Sequence, residues 1–84
     1  MSEKIKDGLH KFYYENGQLE EEITYKDGIK HGPYKYYHYN GQIWEEGNYK
    51  DNTRDGLWKV YYFDGELGWD YIWKNGVVVE TNIY

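Results

Sequence analysis

Gly32-Pro33-Tyr34-Lys35-Tyr36-Tyr37-His38-Tyr39-Asn40-Gly41-Gln42-Ile43-Trp44-Glu45-Glu46-Gly47-Asn48-Tyr49-Lys50-Asp51-Asn52-Thr53-Arg54-Asp55 decides the fold, because residues 8–31 before it and residues 56–79 after it are diverged copies of it. Aligned without a gap at a period of 24 residues, the copies keep Gly8/Gly32/Gly56, Lys11/Lys35/Lys59, Tyr13/Tyr37/Tyr61, Gly17/Gly41/Gly65 and Lys26/Lys50/Lys74 unchanged. Leu19/Ile43/Leu67 stays aliphatic, Tyr25/Tyr49/Trp73 stays aromatic, and Asn16/Asn40/Asp64 always precedes the second glycine. A period of this length marks a repeat array, in which each unit buries apolar surface against its neighbours.

Within each copy, a run rich in Tyr, Trp, Phe and Val leads to Asn-Gly or Asp-Gly, and a second alternating run leads to Lys-Asp-Gly, Lys-Asp-Asn or Lys-Asn-Gly. Asn-Gly and Asp-Gly supply the positive φ angles of a two-residue type I′ hairpin. The spacing therefore predicts two strands per repeat, with Asn16-Gly17, Asn40-Gly41 and Asp64-Gly65 as tight turns. With a capping strand over 77–84, the chain reads as a single all-β domain over 1–84, an antiparallel meander of about seven short strands.

Counting outward from those turns places Lys11 opposite Glu22, Lys35 opposite Glu46 and Lys59 opposite Asp70. Directly opposed opposite charges contribute about 0.2–1 kcal/mol each in a sheet. Because side chains alternate between faces, the same count gives one face His10, Phe12, Tyr14, Leu19, Ile23, Tyr25 and their equivalents, the expected core. Glu21 and Glu45 also fall there, where a carboxylate should be held by tyrosine hydroxyls or sit at the rim. The other face carries the Lys–acid pairs and the row Tyr13, Tyr37 and Tyr61, with Trp44 opposite Tyr37. An antiparallel sheet needs cover on one face only, so Tyr13, Tyr37, Trp44 and Tyr61, with Glu20, Glu22 and Glu46, form a candidate partner-binding surface. The competing reading has these rings packing on one another and shielding the backbone. Val77, Val79, Thr81 and Ile83 form a candidate edge strand, open to another molecule or simply short and twisted.

Asn-Gly-Gln-Leu, Tyr-Lys-Asp-Gly, Lys-His-Gly-Pro-Tyr-Lys-Tyr-Tyr and Tyr-Asn-Gly-Gln-Ile resemble the variant form of the MORN repeat, over roughly residues 7–76. The resemblance implies a β-hairpin repeat array, and its bacterial relatives include proteins described as antitoxins or immunity-type partners of toxins. The third copy departs from the pattern: Gly68, Trp69 and Tyr71 stand where the second has Trp44, Glu45 and Gly47, and Val77-Val78-Val79 replaces Thr53-Arg54-Asp55. This copy reads as a cap.

Composition narrows the function classes. At 84 residues, folding buries about 60–65% of the unfolded chain's surface, so the core must come from the two Phe, four Trp and twelve Tyr. There is no cysteine, so neither a disulfide nor a thiolate metal site is available. Ser2 is the only serine, and His10, His31 and His38 occupy three different columns, which argues against a Ser-His-Asp arrangement. In a strand Glu20, Glu21 and Glu22 alternate between faces, which argues against a metal site. Neither a signal-peptide core nor an apolar run of about 18 residues occurs, and the expected location is the cytoplasm. A net charge of −5 argues against nucleic acid and against an anionic membrane, and it favours a basic protein partner such as a toxin or nuclease. The leading expectation is a cofactor-free, non-enzymatic protein-binding module of the antitoxin, immunity or inhibitor kind. The alternatives are a self-assembling scaffold, as a homodimer through an edge or aromatic face, and a carbohydrate or small-ligand module using the Tyr/Trp row.

Overall fold

A computed structural model describes residues 7–84; the expectation of a frayed or edge segment over 1–6 lies outside the described residues. Seven strands follow one another as β1 (Gly8–Tyr13), β2 (Leu19–Lys26), β3 (Ile29–Tyr37), β4 (Ile43–Lys50), β5 (Thr53–Tyr61), β6 (Leu67–Lys74) and β7 (Val77–Ile83). They form one sheet in chain order, every neighbouring pair antiparallel. The described residues span 46 × 36 × 16 Å, the thickness of a single layer with its side chains. No helix among them is long and apolar enough to cross a membrane.

The pairing confirms the expected register in mid-strand: Lys11 faces Glu22, Lys35 faces Glu46, and Lys59 faces Asp70. It reaches that register by a different route near the loops. The Asn-Gly corners are not type I′ turns. Tyr14 N donates to Gln18 O (2.8 Å) and Gly17 N donates to Tyr14 O (3.0 Å), bracketing three loop residues rather than two. Asn16 Oδ1 accepts the Gln18 amide at 2.9 Å, as Asn40 and Asp64 do for Gln42 and Glu66. That local bond leaves the asparagine at negative φ, and Gly17, Gly41 and Gly65 alone supply the left-handed step, at φ 89°, 92° and 95°. The residue added to the loop is taken back by a bulge two residues later, where Tyr13 faces Leu19 and Phe12 faces Glu21. The type I′ geometry belongs to the other corners, where Asp27-Gly28, Asp51-Asn52 and Asn75-Gly76 all have positive φ.

The bulge changes which side chains share a face. Leu19, Ile43 and Leu67 face Tyr13, Tyr37 and Tyr61 instead of joining the core, whereas Trp44 crosses to the aromatic face. There Trp44 stacks on His38 with centroids 4.4 Å apart and lies 5.4 Å from Tyr36. In the third copy Gly68 takes this column, and a Cβ there would sit 3.1 Å from the Tyr62 ring.

The core sits in the middle of the aromatic face. Trp58 is fully buried and Ile23 and Tyr34 nearly so, with Tyr25, Tyr36, Tyr49 and Trp73 packed around them. Trp58 has room because Gly47 lies beneath it: a Cβ on Gly47 would come within 2.2 Å of the indole. Its Nε1 donates to Asn48 O at 3.0 Å, so the buried ring keeps its polar atom satisfied. As expected, Glu21 is held by a tyrosine, with Tyr34 Oη donating to it at 2.7 Å. Glu45 is held by Arg54 through two N–H donors at 3.0 and 3.4 Å, while the same guanidinium lies 4.3 Å over the Trp58 ring.

Candidate functional site

The face opposite the core carries one row of charge across the sheet. Lys11, Glu22, Lys35, Glu46, Lys59 and Asp70 face one another in sequence from β1 to β6, and Asn82 of β7 ends the row. The register is the expected one, but the expected ion pairs do not form. Among the described residues the ion pair between permanently charged groups is Arg54–Glu45, and His31 Nδ1 lies 3.7 Å from Asp51 Oδ1.

The carboxylates are instead engaged by tyrosines two residues beyond the lysines. Tyr37 Oη donates to Glu22 at 2.5 Å, and Tyr61 Oη donates to Glu46 at 2.5 Å. On β6, Tyr84 Oη donates to Asp70 at 2.6 Å, and Asn82 adds a second donor at 2.9 Å. A phenol that gives its hydrogen to a carboxylate loses it reluctantly, and a flexible ammonium gains little from a carboxylate already bound. Burial first, then the bond to Glu22 and the charges of Glu22 and Glu46, push Tyr37 up to about 12. Burial and Glu46 do the same for Tyr61, also to about 12. The Tyr84 and Asn82 donors, with Lys59 nearby, hold Asp70 below the ordinary aspartate value.

These rungs sort the candidate residues. Tyr37, Tyr61, Glu22 and Glu46 are committed to one another. Tyr13 begins the same row on β1 and is 59% exposed. Trp44 has left the row for the other face. Burial first, then the hydrogen bond with Tyr36 and least of all the charge of Glu20, which shares a column with Trp44, push the Tyr14 phenol up to about 12. Among the described residues, Tyr13, Tyr37 and Tyr61 keep their common column on that surface without Trp44. An open depression of about 290 Å³ there is bounded by Pro33, Lys35, Glu46, Leu57 and Lys59. Val77, Val79, Thr81 and Ile83 are all exposed on β7, whose one partner among the described residues is β6.

A second surface, not anticipated from the sequence, emerges when charge is followed along the strands. The transverse Lys–acid row holds three lysines and three acids. On its type I′ side, residues 7–84 carry five cations and five acids: Lys26, Lys30, Lys50, Arg54 and Lys74 against Asp7, Asp27, Asp51, Asp55 and Glu80. On its Asn-Gly side lie Glu15, Glu20, Glu21, Glu45, Asp64 and Glu66, with no lysine or arginine. The whole negative excess of residues 7–84 thus sits at one rim. Glu21 and Glu45 are bound internally, which leaves Glu15, Glu20, Asp64 and Glu66 facing outward.

The same rim exposes rings. Tyr39 and Phe63 are 58% and 61% exposed, and Trp44 and Tyr62 are also open. Contacts across repeats hold them in place. Tyr39 lies 5.3 Å from Tyr14, whose Oη donates to Tyr37 O at 2.5 Å; Phe63 lies 5.3 Å from His38, whose Nε2 is 3.4 Å from Tyr61 O. Asn16 and Asn40 reach Tyr39 O and Phe63 O at 3.4 and 3.2 Å, so each loop is tied to the next. The signal was present in the sequence as the absence of Lys and Arg from 12–24, 36–49 and 60–73. Overall net charge hides it.

A one-layer antiparallel sheet of hairpin repeats that displays ordered side-chain rows defines a repeat-type binding or scaffold module. Residues 6–27, 30–51 and 54–67 match the MORN repeat variant family, and the chain belongs to it. The matches begin 24 residues apart, and the third stops at residue 67, within the copy that departs from the pattern. Among curated proteins none matches the chain.

Proposed function

We propose that this chain is a non-catalytic protein-binding module that occupies a basic site on a partner protein, of the antitoxin, immunity or inhibitor kind that the family resemblance implies. The observation that carries this reading is the charge distribution: three lysines balance three acids in the central row, five cations balance five acids beyond it, and the loop rim alone is negative. A concentrated field of one sign accelerates encounter with an oppositely charged surface and rejects like-charged ones. The outward carboxylates cost little in stability, because they remain hydrated until a partner arrives. Immobilised chain should retain basic proteins at low ionic strength and release them as salt approaches about 1 M, where the screening length shrinks to about 3 Å. Retention of nothing at low salt would overturn the reading.

Self-association is the second reading, and β7 supports it, since its outer edge has no strand partner among the described residues and Val77, Val79 and Ile83 are exposed. Light scattering at two concentrations separates the two. A salt-resistant dimer weakened by Val79→Lys would favour the edge, whereas a monomer at both concentrations leaves the basic partner.

A further inference from the structure

We infer that the occupant of the loop rim is an arginine-bearing segment of the partner in polyproline II conformation, running across the strands over the three Asn-Gly loops with a cation at every third residue. The inference rests on the functional reading above and adds where and how the partner is held.

Exposed rings and carboxylates alternate along this rim in fixed columns, with Glu15, Asp64 and Glu66 open to solvent, Glu20 half-buried, and Asp64 giving one oxygen to the Glu66 amide. Glu15 of the first loop is replaced by Tyr39 and Phe63 in the next two, and Glu20 is replaced by Trp44 and then Gly68. The third loop restores charge through Asp64 and Glu66, both exposed. A cation crossing the rim therefore meets carboxylates, then two rings, then carboxylates beside a ring. Guanidinium suits this sequence of surroundings better than ammonium, since it stacks on ring faces and pairs with carboxylates through its fork. The sheet already holds one guanidinium in this manner, with Arg54 on the Trp58 ring and the Glu45 carboxylate. At the rim the same two kinds of group stand open.

The spacing follows from the sheet. Adjacent strands lie about 4.8 Å apart, so equivalent loops repeat at roughly 9.6 Å. A polyproline II chain rises about 3.1 Å per residue with three residues per turn, so three residues advance about 9.3 Å and return to the same side. Every third side chain of such a chain therefore stays in step with the loops, whereas a β-strand would turn every third side chain to the opposite side and a helix would bring its side chains round at the wrong interval. The inter-loop bonds from Asn16 and Asn40 keep the loops in place before binding, which limits the ordering the partner must impose.

The test compares two peptides of one composition, one with arginine at every third position and one with its arginines contiguous, titrated into the full chain while backbone amide shifts are followed. The spaced peptide should bind about fivefold or more tightly, and the shifts should concentrate in 14–20, 38–44 and 62–66. Asp64→Asn with Glu66→Gln writes into the third loop the residues the second already uses, so the fold is kept. That pair should lower affinity about three- to tenfold, and Trp44→Leu about tenfold. Unchanged unfolding midpoints would separate these losses from damage to the sheet. Equal binding of the two peptides, or shifts centred on the Lys11–Asp70 row, would overturn the inference while leaving the basic-partner reading intact. Failure of both peptides together with absence of any salt-sensitive capture would bring both down.

Discussion

The two faces of this single layer solve one problem in different ways. On one face Trp58, Ile23 and Tyr34 exclude water by packing. On the other, a row of acids is covered by tyrosines that reach over from the next odd strand, and the shielding comes from hydrogen bonds: Tyr37 to Glu22, Tyr61 to Glu46, Tyr84 to Asp70. A sheet with no second layer cannot bury both faces, so apolar packing concentrates on the first and hydrogen-bonded carboxylates line the second. The comparison has measurable consequences of descending size.

The largest loss should follow damage to the packed face. Trp58→Ala removes the one fully buried large side chain and should cost about 3–5 kcal/mol, a severe loss for a chain of this size. Gly47→Ala approaches the same site from the other side, because its methyl group would have to occupy space within 2.2 Å of the indole. Overpacking of this kind costs about 1–3 kcal/mol. Chemical denaturation monitored by circular dichroism measures both. If Gly47→Ala unfolds at the wild-type midpoint, the indole does not lie on that glycine.

The hydrogen-bonded face should answer to alkali. Tyr37 and Tyr61 ionise near 10.0 in the unfolded chain and near 12 when folded. Below pH 10 both states keep the phenolic proton and the rungs contribute in full. Between about 10 and 12 the unfolded chain releases its protons while the fold holds them, so stability falls across that window. The rings are partly exposed, so the expected loss is on the order of 1 kcal/mol per rung after allowance for screening. Tyr61→Phe should remove about 1 kcal/mol at neutral pH and make the alkaline decline shallower, whereas Tyr13→Phe, in the same column without a preceding carboxylate, should stay within about 0.5 kcal/mol. A decline equally steep in Tyr61→Phe and in the parent would place the alkaline sensitivity elsewhere.

Much of this was legible in the sequence, for reasons particular residues make clear. The 24-residue period and the Lys/acid columns set the strand order and the mid-strand register, since one-residue slips would break all three Lys–acid rows together. The Asn-Gly corners depart from type I′ because Asn16 Oδ1 takes the Gln18 amide, a bond the dipeptide does not announce. The consequence stayed local: loop and bulge cancel by Phe12–Glu21, so only the residues between them, including Trp44, change face. Arg54 on Glu45 needs two strands placed first, and the tyrosine–carboxylate rungs need the strand beyond the hairpin. Both join strands paired across the type I′ corners, β2 with β3 and β4 with β5, whereas the count outward from Asn-Gly reports on the other hairpins.

The smallest effect is the one that best separates register from energy. Lys35 faces Glu46 on one side and Glu22 on the other, yet both carboxylates are taken by tyrosine hydroxyls and the lysine side chain remains exposed. Lys35→Gln should therefore shift stability by no more than about 0.5 kcal/mol. Lys35→Glu should cost slightly more, by bringing a third like charge beside Glu22 and Glu46. Reversing both members of Lys35 and Glu46 should not restore the parent, because Glu46→Lys leaves the Tyr61 hydroxyl without its acceptor and sets an ammonium beside that of Lys59. Urea midpoints for the two single reversals and the double form a cycle whose coupling term should be near zero. A coupling above about 1 kcal/mol would mean that the facing ammonium and carboxylate do pair in solution, and that the tyrosine rungs share their acceptors with the lysines.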